Sequence, residues 1–278
     1  MFGLFVVLAI SVASLVAISL IKRQEAQGIL SPSTHRVVPD LVVLSSVAGI
    51  VGARVFYIAD HFGGFMLDPA ALIFTRSGFS IYGGLTFGFL AGILFLRRQR
   101  IRILPVLDAV APSLMLGYGI GRLGCQVAGD GDWGITAHLS LKPGWLPDWM
   151  WAQTYEGNIL GVKIPEPGVY PTPLFEFAAA ILLFFVLLAL RSRHASPGYL
   201  FSVYLLFAGF ERLLIEKIRI NAEHDVFGYL LTQAEAISLA VIGIGLLGVL
   251  LALRSRQIWL RALISLGVLS AVSACAPW

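Results

Sequence analysis

The chain has 278 residues, of which 58% are hydrophobic and 13% charged, with a mean hydropathy of +0.84 and a formal net charge of +4. A soluble domain carries about 25% charged residues, so the composition excludes a soluble globular protein and predicts an all-α integral membrane protein. The small positive charge is spread over loop ends with no basic patch among aromatics, which argues against a nucleic-acid partner.

The apolar runs approach the ~20 residues that a helix needs to cross the hydrocarbon. They are continuous, unlike the alternating strands of a membrane barrel. Helices are predicted over 2–21, 37–59, 79–96, 104–127, 172–190, 197–216, 230–253 and 258–275, so the protein should have seven to eight transmembrane helices. No basic residue precedes the first run, and Lys22 and Arg23 follow it, so it reads as a retained span rather than a signal peptide. Basic clusters at Lys22-Arg23, Arg97-Arg98, Arg191 and Arg254 then all fall on one side. By the positive-inside rule that side is cytoplasmic and the N-terminus lies on the outer side.

The longest stretch without helical character, 128–171, lies on the outer side and carries Trp133, Trp145, Trp149, Trp151, Tyr155 and Tyr170. It reads as an interfacial cap, or as an arm over a site that opens outward. Residues 1–254 are expected to form one transmembrane domain and 255–278 an extra C-terminal hydrophobic span. The two cysteines, Cys125 and Cys275, are far apart and lack CxxC spacing, so neither a disulfide framework nor a zinc site follows. No metal or other cofactor is expected. The tail ends Val272-Ser273-Ala274-Cys275, which resembles a lipobox on the outer side.

Charges inside spans are costly and usually face a protein interior for a functional reason. Arg122 closes the glycine-rich run Gly117-Tyr118-Gly119-Ile120-Gly121-Arg122-Leu123-Gly124. Arg212 and Glu216 are spaced i, i+4, with Arg219 three residues on, which would place all three on one helical face. Ser80-Ile81-Tyr82-Gly83-Gly84 opens the third span, where paired glycines permit close approach by a ligand or a helix. Tyr170-Pro171-Thr172-Pro173-Leu174-Phe175-Glu176 starts the fifth, with Glu176 one turn into the membrane and in need of a cationic partner. Arg54 sits inside the second span, after Gly52 and Ala53. Two guanidiniums at one depth with carboxylates nearby suit an anionic lipid headgroup.

In this order the motifs resemble those of the prolipoprotein diacylglyceryl transferase family. Gly121-Arg122-Leu123-Gly124, followed by an acidic glycine-rich turn and Trp133-Gly134, is similar to the family's central signature. Ser80–Gly84, Tyr170–Glu176, Arg212–Glu216 with Arg219, and Gly52-Ala53-Arg54 are similar to four further motifs. The resemblance implies a multi-pass protein of the bacterial inner membrane whose site opens toward the periplasm. It also implies transfer of the diacylglyceryl group from phosphatidylglycerol to the lipobox cysteine of prelipoproteins. Phosphatidylglycerol, prelipoprotein signal peptides and membrane lipids are the implied partners, and a monomer is expected.

On this resemblance Tyr82, Arg122, Asp130, Arg212 and Glu216 would be catalytic. Arg54, Gly83, Gly84, Gly124, Gly134, Tyr170, Glu176 and Arg219 would bind substrate. The chain departs from the family where its histidine before Gly-Gly is Tyr82, its asparagine is Cys125, its acidic residue is Asp130 with one residue inserted, and its fifth-span histidine is Tyr170. Arg122 and Arg212 would clamp the phosphate, and Tyr82 would take the thiol proton, with Asp130, Asp132 and His138 as alternatives. A non-catalytic lipid-binding paralogue, or a transferase with a different acceptor, is the alternative reading. A transporter would show paired broken helices at the midplane, whereas these charges gather near one face.

Overall fold

The computed structural model describes residues 2–74, 80–191, 196–221, 223–226 and 229–274, with 71, 72, 74, 223–226, 229 and 255–274 in backbone alone. Helices α1 (Phe2–Ala26), α2 (Val38–Asp60), α3 (Phe62–Leu67), α4 (Pro69–Phe74), α5 (Ile81–Arg98) and α6 (Ile103–Ala128) occupy the first half of the chain. After the long loop come α7 (Thr172–Leu190) and α8 (Tyr199–Glu216). A hairpin of β1 (Glu223–Val226) and β2 (Tyr229–Thr232) then leads into α9 (Gln233–Ala274). Cys275 and the end of the lipobox-like tetrapeptide lie outside the described residues.

Among the described residues six helices are long and apolar enough to cross a membrane: α1, α2 with the turn before it, α5, α6, α7 and the 233–254 part of α9. The protein is therefore an all-α, multi-pass membrane protein. Helix α8, expected as a span, has the length but carries Glu211, Arg212 and Glu216 in its second half. Two boundaries differ from expectation. Residues 230–232 are strand rather than helix, because they pair antiparallel with β1 in the register Leu230 to Asp225 and Leu231 to His224. The backbone also runs as one helix through 254–258, where the pattern predicted a break between two spans.

Contacts group the chain into two compact units, residues 14–106 and residues 1–13 with 107–278. In the first, α2 and α5 pack against each other with little space between their backbones. A Cβ on Gly83 would stand 2.3 Å from the carbonyl oxygen of Gly52. Only hydrogen fits there, so the glycine after Tyr82 serves the helix pair. Gly84 faces the Gly49 carbonyl oxygen in the same seam.

In the second unit the core is Met115, Ala180, Leu187, Leu200 and Val203, from α6, α7 and α8. Asp108 of α6 accepts hydrogen bonds from the backbone N–H groups of Gly198 (2.6 Å) and Phe201 (2.8 Å). It thereby supplies from another helix the acceptors that the first turn of α8 lacks. The N-terminal turns of α1 meet α6 at Gly124, where a Cβ would come within 2.8 Å of Phe5 Cβ. Gly124, expected to bind substrate, thus makes room for a neighbouring helix.

Candidate active site

The polar centre of the second unit is assembled from three stretches of chain. The first is the end of α6. Gly129 takes a left-handed conformation (φ 58°), and its N–H bonds to the Cys125 carbonyl at 2.9 Å, which stops the helix. The chain then turns through Gly131 (φ 99°) and presents Asp132 back toward Arg122, ten residues earlier. Arg122 donates from Nη1 to Oδ2 of Asp132. Its Nε lies 3.3 Å from Oε2 of Glu176, and its guanidinium sits over the Tyr118 ring, 5.0 Å from the centroid.

The second stretch is the start of α7. Pro171, Thr172 and Pro173 are fully buried, and Thr172 Oγ1 donates to the Asp132 carbonyl. One turn on, Glu176 is 0% exposed and ion-pairs with Arg122 and, at 3.8 Å, with Arg219. This supplies the cationic partners that a carboxylate at that depth requires.

The third stretch is the end of α8 and the residues after it. Arg212 Nη2 stands 2.7 Å from Glu216 Oε2, as the i, i+4 spacing predicts. Arg219 does not continue that face. The helix ends at Glu216, and residues 218–219 run as a strand-like segment beside 134–135, where Ile135 N–H bonds to the Ile218 carbonyl at 2.8 Å. A Cβ on Gly134 would fall 2.4 Å from that same carbonyl oxygen, so glycine is required for the approach. The approach turns Arg219 onto Asp132, with Nη2 2.5 Å from Oδ1. Asn221 donates from its side-chain amide to Glu216 Oε1 at 2.7 Å.

Asp132 is thus held by two guanidiniums. Burial works against its charge, but hydrogen bonds and charge from Arg219 and Arg122 outweigh burial and hold the carboxyl below its ordinary 3.8. The Arg219 guanidinium is shifted upward: burial opposes its charge, and Asp132 and Glu176 more than restore it. Four buried polar atoms of this network make no hydrogen bond: two donors, and the acceptors Glu176 Oε2, 3.8 Å from Arg219 Nη1, and Glu216 Oε2. Arg212 Nη1 and Arg219 Nη1 are buried and lack hydrogen-bond partners. An unsatisfied buried donor costs about 1–3 kcal/mol, which marks these N–H groups as places where an anion would be stabilised.

The structure therefore brings together Arg122, Glu176, Arg212, Glu216 and Arg219 of the expected set. Asp132, considered only as an alternative base, is the carboxylate that joins two arginines. Asp130 is half-buried one step away and accepts from the Asp132 N–H at 3.3 Å. Cys125 Sγ and the carboxylates of Asp130 and Asp132 lie within 4.8 Å of one another. Asp132 is already neutralised by arginine there, and this works against a cation. Tyr170 is buried and its hydroxyl accepts the His138 backbone N–H at 3.1 Å, while its ring meets Trp151 edge-on at 5.4 Å. Its visible work is to hold the 128–171 loop.

Gly83, Gly84, Arg54 and Tyr82 belong to the other unit, with Tyr82 in the first turn of α5 and Arg54 in α2. Tyr118, Glu211 and Asn221 join the network without having been among the expected site residues. Tyr118 was discoverable, since it stands one helical turn before Arg122 on the same face.

Spans this apolar, around a buried network of arginines and carboxylates, define a multi-pass membrane protein with a charged interior site. Residues 1–251 match the family model for prolipoprotein diacylglyceryl transferase, and the chain belongs to this family. It is 33% identical over 184 residues to the phosphatidylglycerol–prolipoprotein diacylglyceryl transferase of Bacillus cytotoxicus, a match covering 66% of this chain and 65% of the relative. The relative of the same name from Leptospira interrogans is 29% identical over 208 residues, 65% of this chain and 61% of its own. That from Marinomonas sp. is 30% identical over 218 residues, 76% and 75%. The matched region thus spans just under two thirds of the first two relatives.

Proposed function

We propose that this protein transfers the diacylglyceryl group of phosphatidylglycerol to the lipobox cysteine thiol of prelipoproteins. The thiolate sulfur attacks the glyceryl carbon that carries the phosphate, a C–S thioether bond forms and the C–O bond breaks. Glycerol phosphate leaves with the bonding electron pair. Negative charge grows on the departing oxygens, where fixed cations stabilise the transition state most. The observation that carries this reading is Arg212 Nη1, a buried guanidinium donor without a hydrogen-bond partner in the network that also holds Arg122. In this reading Arg122 and Arg212 bind the phosphate, while Glu176, Glu216 and Asp132 hold the guanidiniums in place.

Tyr82, in its phenolate form, is the proposed acceptor of the thiol proton and Arg54 a substrate contact, both by resemblance to the family motifs. The proposed setting is the bacterial inner membrane, with the N-terminus periplasmic, the site open to that side and the protein acting as a monomer. Complementation tests the reading. Wild type rescues a strain depleted of its own transferase, and Arg122→Ala does not. The presence of Tyr82 where relatives of this family carry histidine favours a second reading, a lipid-binding paralogue without transfer activity. Purified protein that binds phosphatidylglycerol but forms no lipidated prelipoprotein would establish the second over the first.

A further inference from the structure

Helix α8 contributes a carboxylate for which the transfer reaction, as written, has no use. Glu211 is 7% exposed. Its two oxygens lie 3.4 and 3.3 Å from the hydroxyl oxygen of Tyr118, which is also 2.9 Å from Oε1 of Glu176. A tyrosine hydroxyl has one hydrogen to give. The shorter contact assigns it to Glu176, which leaves the lone pairs of the Tyr118 oxygen facing Glu211. An ionised Glu211 would set acceptor against acceptor in a buried place, whereas a protonated one donates to that oxygen and completes the chain.

Charge counting leads to the same state. Three guanidiniums, Arg122, Arg212 and Arg219, are ion-paired with three carboxylates, Asp132, Glu176 and Glu216. The groups acting on Glu211 are Glu176 of α7, Arg122 and Tyr118 of α6, and Arg212 of its own helix. All of these are already committed to one another or to Asp132 and Glu216. An ionised Glu211 would make the network net negative, with Asp130 adding to the excess beside Asp132. Such a network repels an anionic headgroup.

We infer that Glu211 is a protonated positioning residue. Its proton, donated to the Tyr118 oxygen, directs the tyrosine hydroxyl at Glu176 and keeps one further negative charge out of the arginine cluster, so that it accepts a phosphodiester. The inference rests on the anion-binding reading of that cluster.

The test uses full-length protein in phosphatidylcholine nanodiscs, compared with Glu211→Gln, which is neutral and nearly isosteric. Infrared spectra at neutral pH should contain a protonated-carboxyl stretch that is missing in Glu211→Gln and fades in wild type as the pH is raised. Phosphatidylglycerol binding to wild type should weaken about tenfold over the same pH interval and stay level in Glu211→Gln. Identical carboxyl bands in the two proteins overturn the protonation. A normal band difference with the same pH dependence of binding in both overturns its control of the anion site. If wild type binds no phosphatidylglycerol at any pH, the transferase reading fails, while the band still decides the state of Glu211. Should Glu211→Gln not assemble, Tyr118→Phe serves instead: the band must move as the carboxyl loses its partner, and an unmoved band overturns the proposal.

Discussion

Arg219 donates from Nη2 to Oδ1 of Asp132 at 2.5 Å across 87 residues of sequence. The contact ties the turn after α6 to the segment after α8, and Arg122 holds the other oxygen of the same carboxylate. Lysine in place of Arg219 keeps the charge but loses the planar fork that reaches Asp132 and Glu176 together. Arg219→Lys is therefore expected to behave much like Arg219→Ala in a transfer assay, with losses of at least tenfold. Rescue by lysine to near wild-type rates would count against this geometry.

The depressed pKa of Asp132 ties stability to pH in a definite direction. A carboxylate whose folded-state pKa lies below its unfolded value stabilises the fold above the unfolded value, near 3.8, and loses that contribution as the pH falls through the folded one. Thermal midpoints in detergent should hold level down to about pH 4 as far as this group is concerned and fall below it. In Asp132→Asn the midpoint should be lower above about pH 4, reflecting a loss of about 2 kcal/mol for hydrogen bonds to charged groups, and the gap to wild type should close in acid as the wild-type carboxyl protonates. An unchanged acid limb in the variant would remove Asp132 from the account.

Gly83 offers a packing test. A methyl group there meets the Gly52 carbonyl oxygen and the Phe56 side chain below 3 Å, whereas Gly63 has nothing within 4 Å. Overpacking of this kind costs about 1–3 kcal/mol. Gly83→Ala should lower the thermal midpoint clearly, and Gly63→Ala should not. Equal effects would mean that the α2–α5 seam yields to a methyl group.

Tyr170→Phe separates structure from recognition. The change removes the acceptor for the His138 N–H and is expected to cost about 1 kcal/mol, with KM for phosphatidylglycerol unchanged. A raised KM at unchanged stability would return Tyr170 to the substrate-binding set.

For Tyr82→Phe the expected outcome is a fall in kcat of about 10²–10⁴, the usual contribution of a general base, with phosphatidylglycerol binding retained. Near-wild-type lipidation by this variant excludes Tyr82 as the base and moves attention to Asp130, Asp132 and His138.

The fold class and the main charged groups were legible before any coordinates. Continuous apolar runs and a low charged fraction are properties of composition, and the i, i+4 pair Arg212–Glu216 is set by helical pitch alone. Glu176 was marked by the cost of a carboxylate inside an apolar span. Other assignments depended on where helices stop. Arg219 looked like a third member of one face, but the helix ends at Glu216 and the next residues pair with 134–135 instead. That Asp132, expected only as an alternative base, becomes the partner of two arginines follows from left-handed backbone at Gly129 and Gly131, which sequence spacing does not encode.

The sequence by itself determined that this chain lives in a membrane as helices, that the arginines and carboxylates inside its apolar stretches need one another, and which family its motifs resemble. These depend on solvent preference and on short-range periodicity. The tertiary structure alone decided which carboxylate serves which arginine, that Gly83 and Gly124 face helices, and that Tyr118 bridges Glu176 and Glu211. Such pairings join residues far apart in the chain, and they are settled only when close packing leaves each buried charge and donor a single neighbour within reach.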